Sequence, residues 1–328
     1  MIVVTGGAGF IGSNIVAELS AKRPGEIVVA DWMETGDKWR NIAKTEINDC
    51  IRPDGLGDYL SALGNDVEAI IHMGANSSTT ETDVDLIVRQ NVRSTINLWN
   101  WCTAHGKRFI YASSAATYGD GSAGFDDDMD SDALAKLQPL NAYGWSKHLF
   151  DRRIARTIAK GGKVPPQWVG LKFFNVYGPN EYHKGDMRSV IHKIYPTAAK
   201  GEAVTLFKSH NPDYEDGGQL RDFVYVKDCA AAILKLMDKP EVSGLFNMGT
   251  GKARSFEDLA KATFNAVAEP SNISYIDMPE TIRDKYQYFT EAKMSRLEEA
   301  LGENTFRSLE DGVADYVQSH LVKDDPYL

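Results

Sequence analysis

The 328 residues suit one large α/β unit or two small domains, and either can bury a substantial core. A composition that is 43% hydrophobic and 25% charged excludes a disordered or fibrous chain. The formal net charge is −10 and the Lys and Arg residues are dispersed, which argues against nucleic acid as a partner while leaving room for a small anionic substrate.

In chain order, Ile2–Val4 is a short β-branched run that leads into a glycine turn and an amphipathic stretch from Ser13 to Ser20. Ile27–Ala30, Ala69–Met73 and Arg108–Ala112 read as further buried strands, with helical patterns between them, notably Val84–His105. After the loop Gly161–Pro166, Gln167–Phe174 supplies another strand. Short apolar strands alternating with helices predict a Rossmann-type, doubly wound parallel sheet in an α/β fold. Asp120–Gln138, with its run Asp126–Asp128, and Lys208–Gln219 interrupt the alternation and read as solvated acidic loops, the first with room for a short helix. Beyond Pro179 the strict alternation fades, as expected for a smaller mixed α/β substrate domain. The expected division is a dinucleotide-binding domain of residues 1–172 with a returning segment at about 222–252, and a substrate domain of 173–221 and 253–328.

Cys50, Cys102 and Cys229 are far apart and form no CxxC pair, so neither a metal site nor a disulfide framework is expected. Met1–Thr5 run straight into the glycine turn without the basic and apolar regions of a leader, and no apolar run spans a membrane. The expectation is a soluble cytoplasmic protein with reduced thiols.

Thr5-Gly6-Gly7-Ala8-Gly9-Phe10-Ile11-Gly12 holds both a GxGxxG and a GxxGxxG pattern. Glycine is needed because the turn is tight and the backbone must approach a pyrophosphate, while the following helix presents unpaired N–H groups and a positive dipole end. Asp31 closes the second strand, where an acid binds the adenosine ribose hydroxyls, so a nicotinamide dinucleotide is expected. A carboxylate there favours NAD, whereas Lys38 and Arg40 just beyond it supply positive charge for NADP, so the sequence leaves both open.

Tyr143 and Lys147 are four apart, and on a helix they share one face. An ammonium beside a phenol favours the phenolate, which makes the tyrosine a proton acceptor near neutral pH. Ser113-Ser114 directly follow the Arg108–Ala112 strand, at the carboxyl end where such folds bind ligands, and a serine hydroxyl there can hold a substrate hydroxyl or carbonyl.

Glycine turn, serine, Tyr-x3-Lys and the later segment Arg221-Asp222-Phe223-Val224-Tyr225-Val226 together resemble the extended short-chain dehydrogenases/reductases. The resemblance implies Ser114 as the catalytic serine, because it precedes Ala115-Ala116-Thr117-Tyr118-Gly119, with Tyr143 as acid/base and Lys147 on the nicotinamide ribose. Sugar 4,6-dehydratases of this group carry an Asp-Glu pair right after the serine; Ala115 and Ala116 stand there instead, so elimination of water lacks its acid and base.

Gly74-Ala75-Asn76-Ser77-Ser78-Thr79-Thr80-Glu81, Phe174-Asn175-Val176-Tyr177-Gly178-Pro179, His183-Lys184-Gly185 and the segment Arg283–Thr290 are similar to the ADP-L-glycero-D-manno-heptose 6-epimerase family. That resemblance implies epimerisation at C6″ of an ADP-heptose by transient oxidation to a 6-ketone and re-reduction on the other face. Lys184 would be the proton-exchanging group on the second face. NADP would be the resident cofactor, with NAD the alternative, held by Gly6, Gly9, Phe10, Ile11, Gly12, Asp31, Trp32, Lys38, Met73, Gly74, Ala75, Asn76, Ser77, Asn91, Lys147 and Val176. Ser114, Asn175, Asp186, Lys193, Phe207, Arg221 and Tyr286 would contact the nucleotide sugar, Arg221 through its diphosphate. A homo-oligomer, with a pentamer among the candidates, is implied too. Trp32 beside Asp31, Asp186 after Lys184 and the long Lys208–Gln219 loop depart from the family pattern, and keep another nucleotide-sugar epimerase or a reductase as the alternative. A dinucleotide sensor without chemistry is disfavoured, since both Tyr143 and Lys147 are present.

Overall fold

The computed structural model describes residues 1–283, 286–302 and 306–328. Twelve strands are found among them: β1 (Ile2–Thr5), β2 (Ile27–Ala30), β3 (Asp49–Ile51), β4 (Ala69–His72), β5 (Arg108–Ser114), β6 (Trp168–Phe173), β7 (Asn175–Tyr177), β8 (Val204–Phe207), β9 (Leu220–Tyr225), β10 (Gly244–Met248), β11 (Ala253–Ser255) and β12 (Ile273–Ile276). Seven form one sheet in the order β10-β6-β5-β4-β1-β2-β3, and every pairing within it is parallel. β1, β2 and β4 are buried at all four positions, as their unbroken Ile/Val/Ala runs require when helices cover both faces. The Rossmann-type expectation therefore stands, and β3 and β10 add two edge strands that the sequence reading did not single out.

Apolar layers cover both faces of this sheet. One is built around Ile15, Val29, Ile71, Leu171 and Ile233, the other around Leu60, Ile70, Trp99, Phe109 and Phe150. The predicted helix Val84–His105 is present as one continuous run, Val84–Ile87 and Ser94–His105, with a π-helical turn at Val88–Arg93 between them. Such a turn places an extra residue in the coil and is common beside functional sites. Asn91 sits on it.

A second apolar cluster gathers Tyr177, Ile191, Leu206, Phe223, Leu259, Phe264, Val313 and Tyr316. It lies under two small sheets, β11-β9-β7 and β12-β8. Asn175, Lys184, Arg221 and Tyr286 come from segments around these sheets, whereas Ser114 ends β5 of the large sheet.

The acidic residues of the two loops are mostly exposed, as expected, and each loop has a buried anchor. Asp120–Gln138 contains the short helix Ser131–Ala135 and a chain of aspartate turns, yet Asp127 within it is buried and its Oδ2 accepts the Asn247 N–H at 2.7 Å. The loop is thereby fastened to the edge strand β10. Gln219, at the end of the second loop, is buried and donates to the carbonyl oxygens of Phe207 and Lys208.

Candidate active site

The glycine turn is as tight as the pattern requires. Gly6 has φ of +64°, and a Cβ on it would lie 2.6 Å from the Gly74 nitrogen; a Cβ on Gly12 would lie 2.0 Å from the Gly6 carbonyl oxygen. Gly9 precedes the helix Phe10–Lys22, and no side chain caps that helix among the described residues. Its first N–H groups and dipole end are thus available to a diphosphate, so the cradle fits a dinucleotide.

Asp31, at the carboxyl end of β2, is buried with both oxygens engaged. Oδ2 accepts the Ala8 N–H at 2.9 Å, and Oδ1 accepts the Trp32 N–H and the Lys38 ammonium, each at 2.7 Å. Lys38 therefore neutralises the carboxylate that would otherwise repel a 2′-phosphate. Beside it lies a cavity of about 380 Å³ lined by Asp31, Trp32, Met33, Glu34, Cys50, Ile51 and Arg52. The Arg52 guanidinium lies 4.6 Å from the Trp32 ring centroid, so Trp32 forms a platform for a flat group rather than a polar contact. Arg40, expected as a second cation here, faces elsewhere: its guanidinium is 4.5 Å from the Tyr327 ring centroid and 3.9 Å from Asp325. The cation that lines this cavity is Arg52, just beyond β3, which also pairs with Asp54 at 3.0 Å; it carries no motif, so the sequence reading missed it.

The loop after β4 lies against the turn. Met73 N–H donates to the Thr5 carbonyl and Gly74 N–H to the Thr5 hydroxyl. Ala75 is half-buried and Ser77 exposed along the same loop. Asn91 clamps it from the π-helical turn: its Oδ1 accepts the Asn76 N–H at 2.8 Å, and its Nδ2 donates to the Asn76 carbonyl and to Ser146 Oγ. One amide thus ties the cofactor loop to the Tyr143–Lys147 helix. Val176, half-buried on β7, packs between two core clusters, beside Ile11.

Tyr143 and Lys147 lie on the helix Ala142–Ala159, capped by the Asn141 side chain through the Gly144 N–H at 2.8 Å. Burial raises the Tyr143 phenol above its usual range, and a hydrogen bond with Ser114 opposes that. Ser114 also caps the short turn Ala115–Tyr118, its Oγ accepting the Ala116 N–H. Burial lowers the Lys147 ammonium to about 8, with Asp151 opposing. The lowering influence on the phenol is thus Ser114's, where the sequence reading assigned it to the lysine. His72 stays neutral, lowered to about 3 by burial and then by the Lys147 charge.

Beneath this constellation is an ion pair that no motif announced. Lys172 and Asp151 are fully buried with Nζ 3.3 Å from Oδ2. Tyr111 and Ser113 donate to the two Asp151 oxygens at 2.9 and 2.6 Å, and Lys172 donates to Thr117 Oγ1 at 2.6 Å. Thr117 in turn donates to the Ser114 carbonyl at 2.8 Å. The network fixes the end of β5 against the catalytic helix. A lysine inside the apolar strand Trp168–Phe173 was the signal that could have revealed it.

Lys184 belongs to the 3₁₀ segment Tyr182–Met187, which kinks at Gly185, and its Nζ lies 4.7 Å from the ring centroid of Phe10, the first residue of the glycine-turn helix. Burial lowers its ammonium, and the fully buried Glu181 opposes that while Lys193 adds to it. Asp186 on the same segment and Lys193 on the next helix are both exposed.

Arg221 on β9 is buried and donates to the Leu220 carbonyl at 2.8 Å. Its guanidinium lies 5.2 Å from the Tyr286 and 5.7 Å from the Phe256 ring centroids. Burial lowers it and only tyrosines oppose that, so it is a desolvated cation flanked by rings and suited to an anion. Phe207 ends β8 half-buried, and Asn175 begins β7 exposed. Gln287 donates to the Gly119 carbonyl at 2.9 Å, bringing the Arg283–Thr290 segment onto the loop after β5. Asp284 and Lys285 of that segment lie outside the described residues.

The catalytic helix packs closely on the turn after β5: a Cβ on Gly144 would lie 2.6 Å from the Ala116 carbonyl oxygen and 3.2 Å from the Ala116 methyl. No group of metal-ligating side chains occurs among the described residues, and no helix there is long and apolar enough to cross a membrane.

The profile of the NAD dependent epimerase/dehydratase family matches residues 2–249. ADP-L-glycero-D-manno-heptose-6-epimerase of Nitratidesulfovibrio vulgaris is 49% identical over 330 aligned positions, and the alignment covers 100% of both chains. The protein of the same description from Fusobacterium nucleatum is 47% identical, again over 100% of both. Among solved structures, the Helicobacter pylori ADP-L-glycero-D-manno-heptose-6-epimerase superposes with a TM-score of 0.78 at 27% identity, covering 97% of this chain and 95% of that one.

Proposed function

This chain belongs to the NAD-dependent epimerase/dehydratase family and, within it, to the ADP-L-glycero-D-manno-heptose-6-epimerases, and from that membership we propose that it inverts C6″ of ADP-D-glycero-D-manno-heptose. The enzyme is an isomerase that uses a nicotinamide cofactor. The observation that carries the reading is the placement of Ser114 at the end of β5 against the helix that carries Tyr143 and Lys147, followed by Ala115 and Ala116, an arrangement that offers proton exchange and no acid–base pair for elimination.

When bound, a nicotinamide cofactor would supply reversible hydride acceptance at C6″. Tyr143 takes the proton of the C6″ hydroxyl as the C–H bond is broken, and Ser114 holds the oxygen through the change from hydroxyl to carbonyl. Lys147 would hold the cofactor's nicotinamide ribose and lend positive charge. Arg221 holds the diphosphate while the sugar turns, which keeps the transient ketone in the site. Lys184 delivers a proton to the oxygen when the second face is reduced. Oxidation and reduction cancel, so no reductant is consumed; a reductase reading is not favoured by the relatives.

NADP is the proposed cofactor, and Lys38 and Arg52 would hold its 2′-phosphate. The Lys38–Asp31 pair supports this, because it removes the repulsion a free carboxylate would exert. The proposed division keeps residues 1–172 and about 222–252 as the cofactor domain and the rest as the substrate domain.

The experiment is to incubate the purified protein with ADP-D-glycero-D-manno-heptose and resolve the C6″ epimers. Interconversion without added reductant is expected. No interconversion by cofactor-loaded protein would overturn the assignment.

A further inference from the structure

The segment Tyr316–Leu328 folds back across two loops that the cofactor and the second proton donor depend on. Tyr316 donates to Glu181 Oε1 at 3.0 Å. The Pro326 carbonyl accepts from the Tyr182 hydroxyl at 2.9 Å, and Leu328 N–H donates to Asn180 Oδ1 at 3.3 Å. These three contacts fall on Asn180, Glu181 and Tyr182, immediately before Lys184.

The same segment holds the loop after β2. The Tyr327 ring lies under the Arg40 guanidinium at 4.5 Å, and the Tyr327 carbonyl accepts from Lys44 Nζ at 2.9 Å. Asp325 lies 3.0 Å from Lys44 and 3.9 Å from Arg40. Arg40 belongs to the turn Asp37–Ile42, which also carries Lys38. Tyr182 and Tyr327 meet edge to face at 5.0 Å, so the two sets of contacts share one aromatic hinge point.

Directly beneath, buried amides join the two loops to the glycine turn. Asn180 Nδ2 donates to Ser13 Oγ and to the Asn41 carbonyl. Asn41 Nδ2 donates to the Ala8 carbonyl at 2.8 Å and to His183 Nδ1 at 3.1 Å. Asn180 is fully buried and Asn41 nearly so, so this layer is fixed, whereas Asp325, Lys44 and Arg40 are about half exposed. Half-exposed ion pairs hold weakly, and it is the Tyr327 ring and the backbone contacts that give the segment its grip.

We propose that Tyr327 is a positioning residue that locks the Lys184 loop and the Lys38 loop into one unit, so that cofactor grip and second-face proton delivery are set together. The inference rests on the proposed role of Lys184. Tyr327 does not touch the reacting atoms; it acts through Tyr182 on one side and Arg40 on the other.

The test compares Tyr327→Ala, Tyr327→Phe and Lys44→Met with the parent enzyme in kcat and KM for the ADP-heptose, and in NADP affinity by equilibrium dialysis. Removing the ring is expected to lower kcat roughly 10- to 100-fold through misplacement of Lys184 while KM for the sugar holds. NADP binding should weaken as well. Tyr327→Phe keeps the ring and the backbone contacts and should match the parent. Lys44→Met loosens the same segment from the opposite side, should lower both quantities in the same direction, and guards against misfolding of the alanine variant. In a Lys184→Ala background Tyr327→Ala should cost no further kcat, because the group it positions is gone. Unchanged kcat in Tyr327→Ala, or a loss that multiplies with that of Lys184→Ala, overturns the proposal. If the parent itself fails to epimerise the sugar, the functional reading falls, and the NADP arm still decides the strap.

Discussion

Replacing Lys172 by Met removes one member of an ion pair that is wholly out of water. Both side chains are fully buried, and the Asp151 carboxylate would keep only the Tyr111 and Ser113 hydroxyls as donors. Removing one partner of such a pair typically costs about 3–5 kcal/mol, because a charge is left buried and uncompensated. The double variant Lys172→Met/Asp151→Asn removes both charges of the pair and still offers the two hydroxyls an acceptor. It should therefore be about 2 kcal/mol more stable than Lys172→Met alone. Urea unfolding midpoints of the parent and the two variants read both differences. A loss under about 1 kcal/mol in Lys172→Met, or simple additivity in the double variant, would refute the reasoning about this pair.

Tyr143→Phe should lower turnover by about 10²- to 10⁴-fold, the range for a lost general acid/base, while NADP binding followed by fluorescence holds; near-parent turnover would remove Tyr143 from the chemistry. Arg221→Met should raise KM for the nucleotide sugar by roughly 10- to 150-fold, as expected for a charge-assisted bond of about 1.5–3 kcal/mol, with the cofactor affinity unmoved. The Lys147 ammonium, lowered to about 8 by burial, is lost as pH rises through that value, so kcat should fall on the alkaline side; Lys147→Arg, whose charge persists, should extend that limb upward. Lys38→Ala frees the Asp31 carboxylate, and the NADP-to-NAD affinity ratio should drop by about tenfold or more in dialysis.

Five strands of the large sheet were legible because they are mostly apolar runs, as helices covering both faces require. The glycine turn and the Tyr143–Lys147 pair were legible because their chemistry imposes fixed spacings. Arg52, Lys172, Asp151 and Tyr327 were not, since each owes its place to contacts made between distant elements. Lys172 alone left a trace, a cation in a strand whose other residues are apolar. The acidic run Asp126–Asp128 misled for the converse reason: a sequence of aspartates reads as solvated, and only the Asn247 N–H explains why Asp127 is inside. Arg40 sat at the right spacing for a phosphate and was drawn away by Tyr327.

The most direct measurement follows a deuterium placed at C6″ of ADP-D-glycero-D-manno-heptose through turnover in ordinary water without added nicotinamide. If the C6″ hydrogen leaves and returns as hydride within one closed site, the label remains at C6″ in both epimers. Washout of the label into water would mean that the bond is broken by deprotonation, and would contradict the redox epimerisation assigned to Ser114, Tyr143, Lys147 and Lys184.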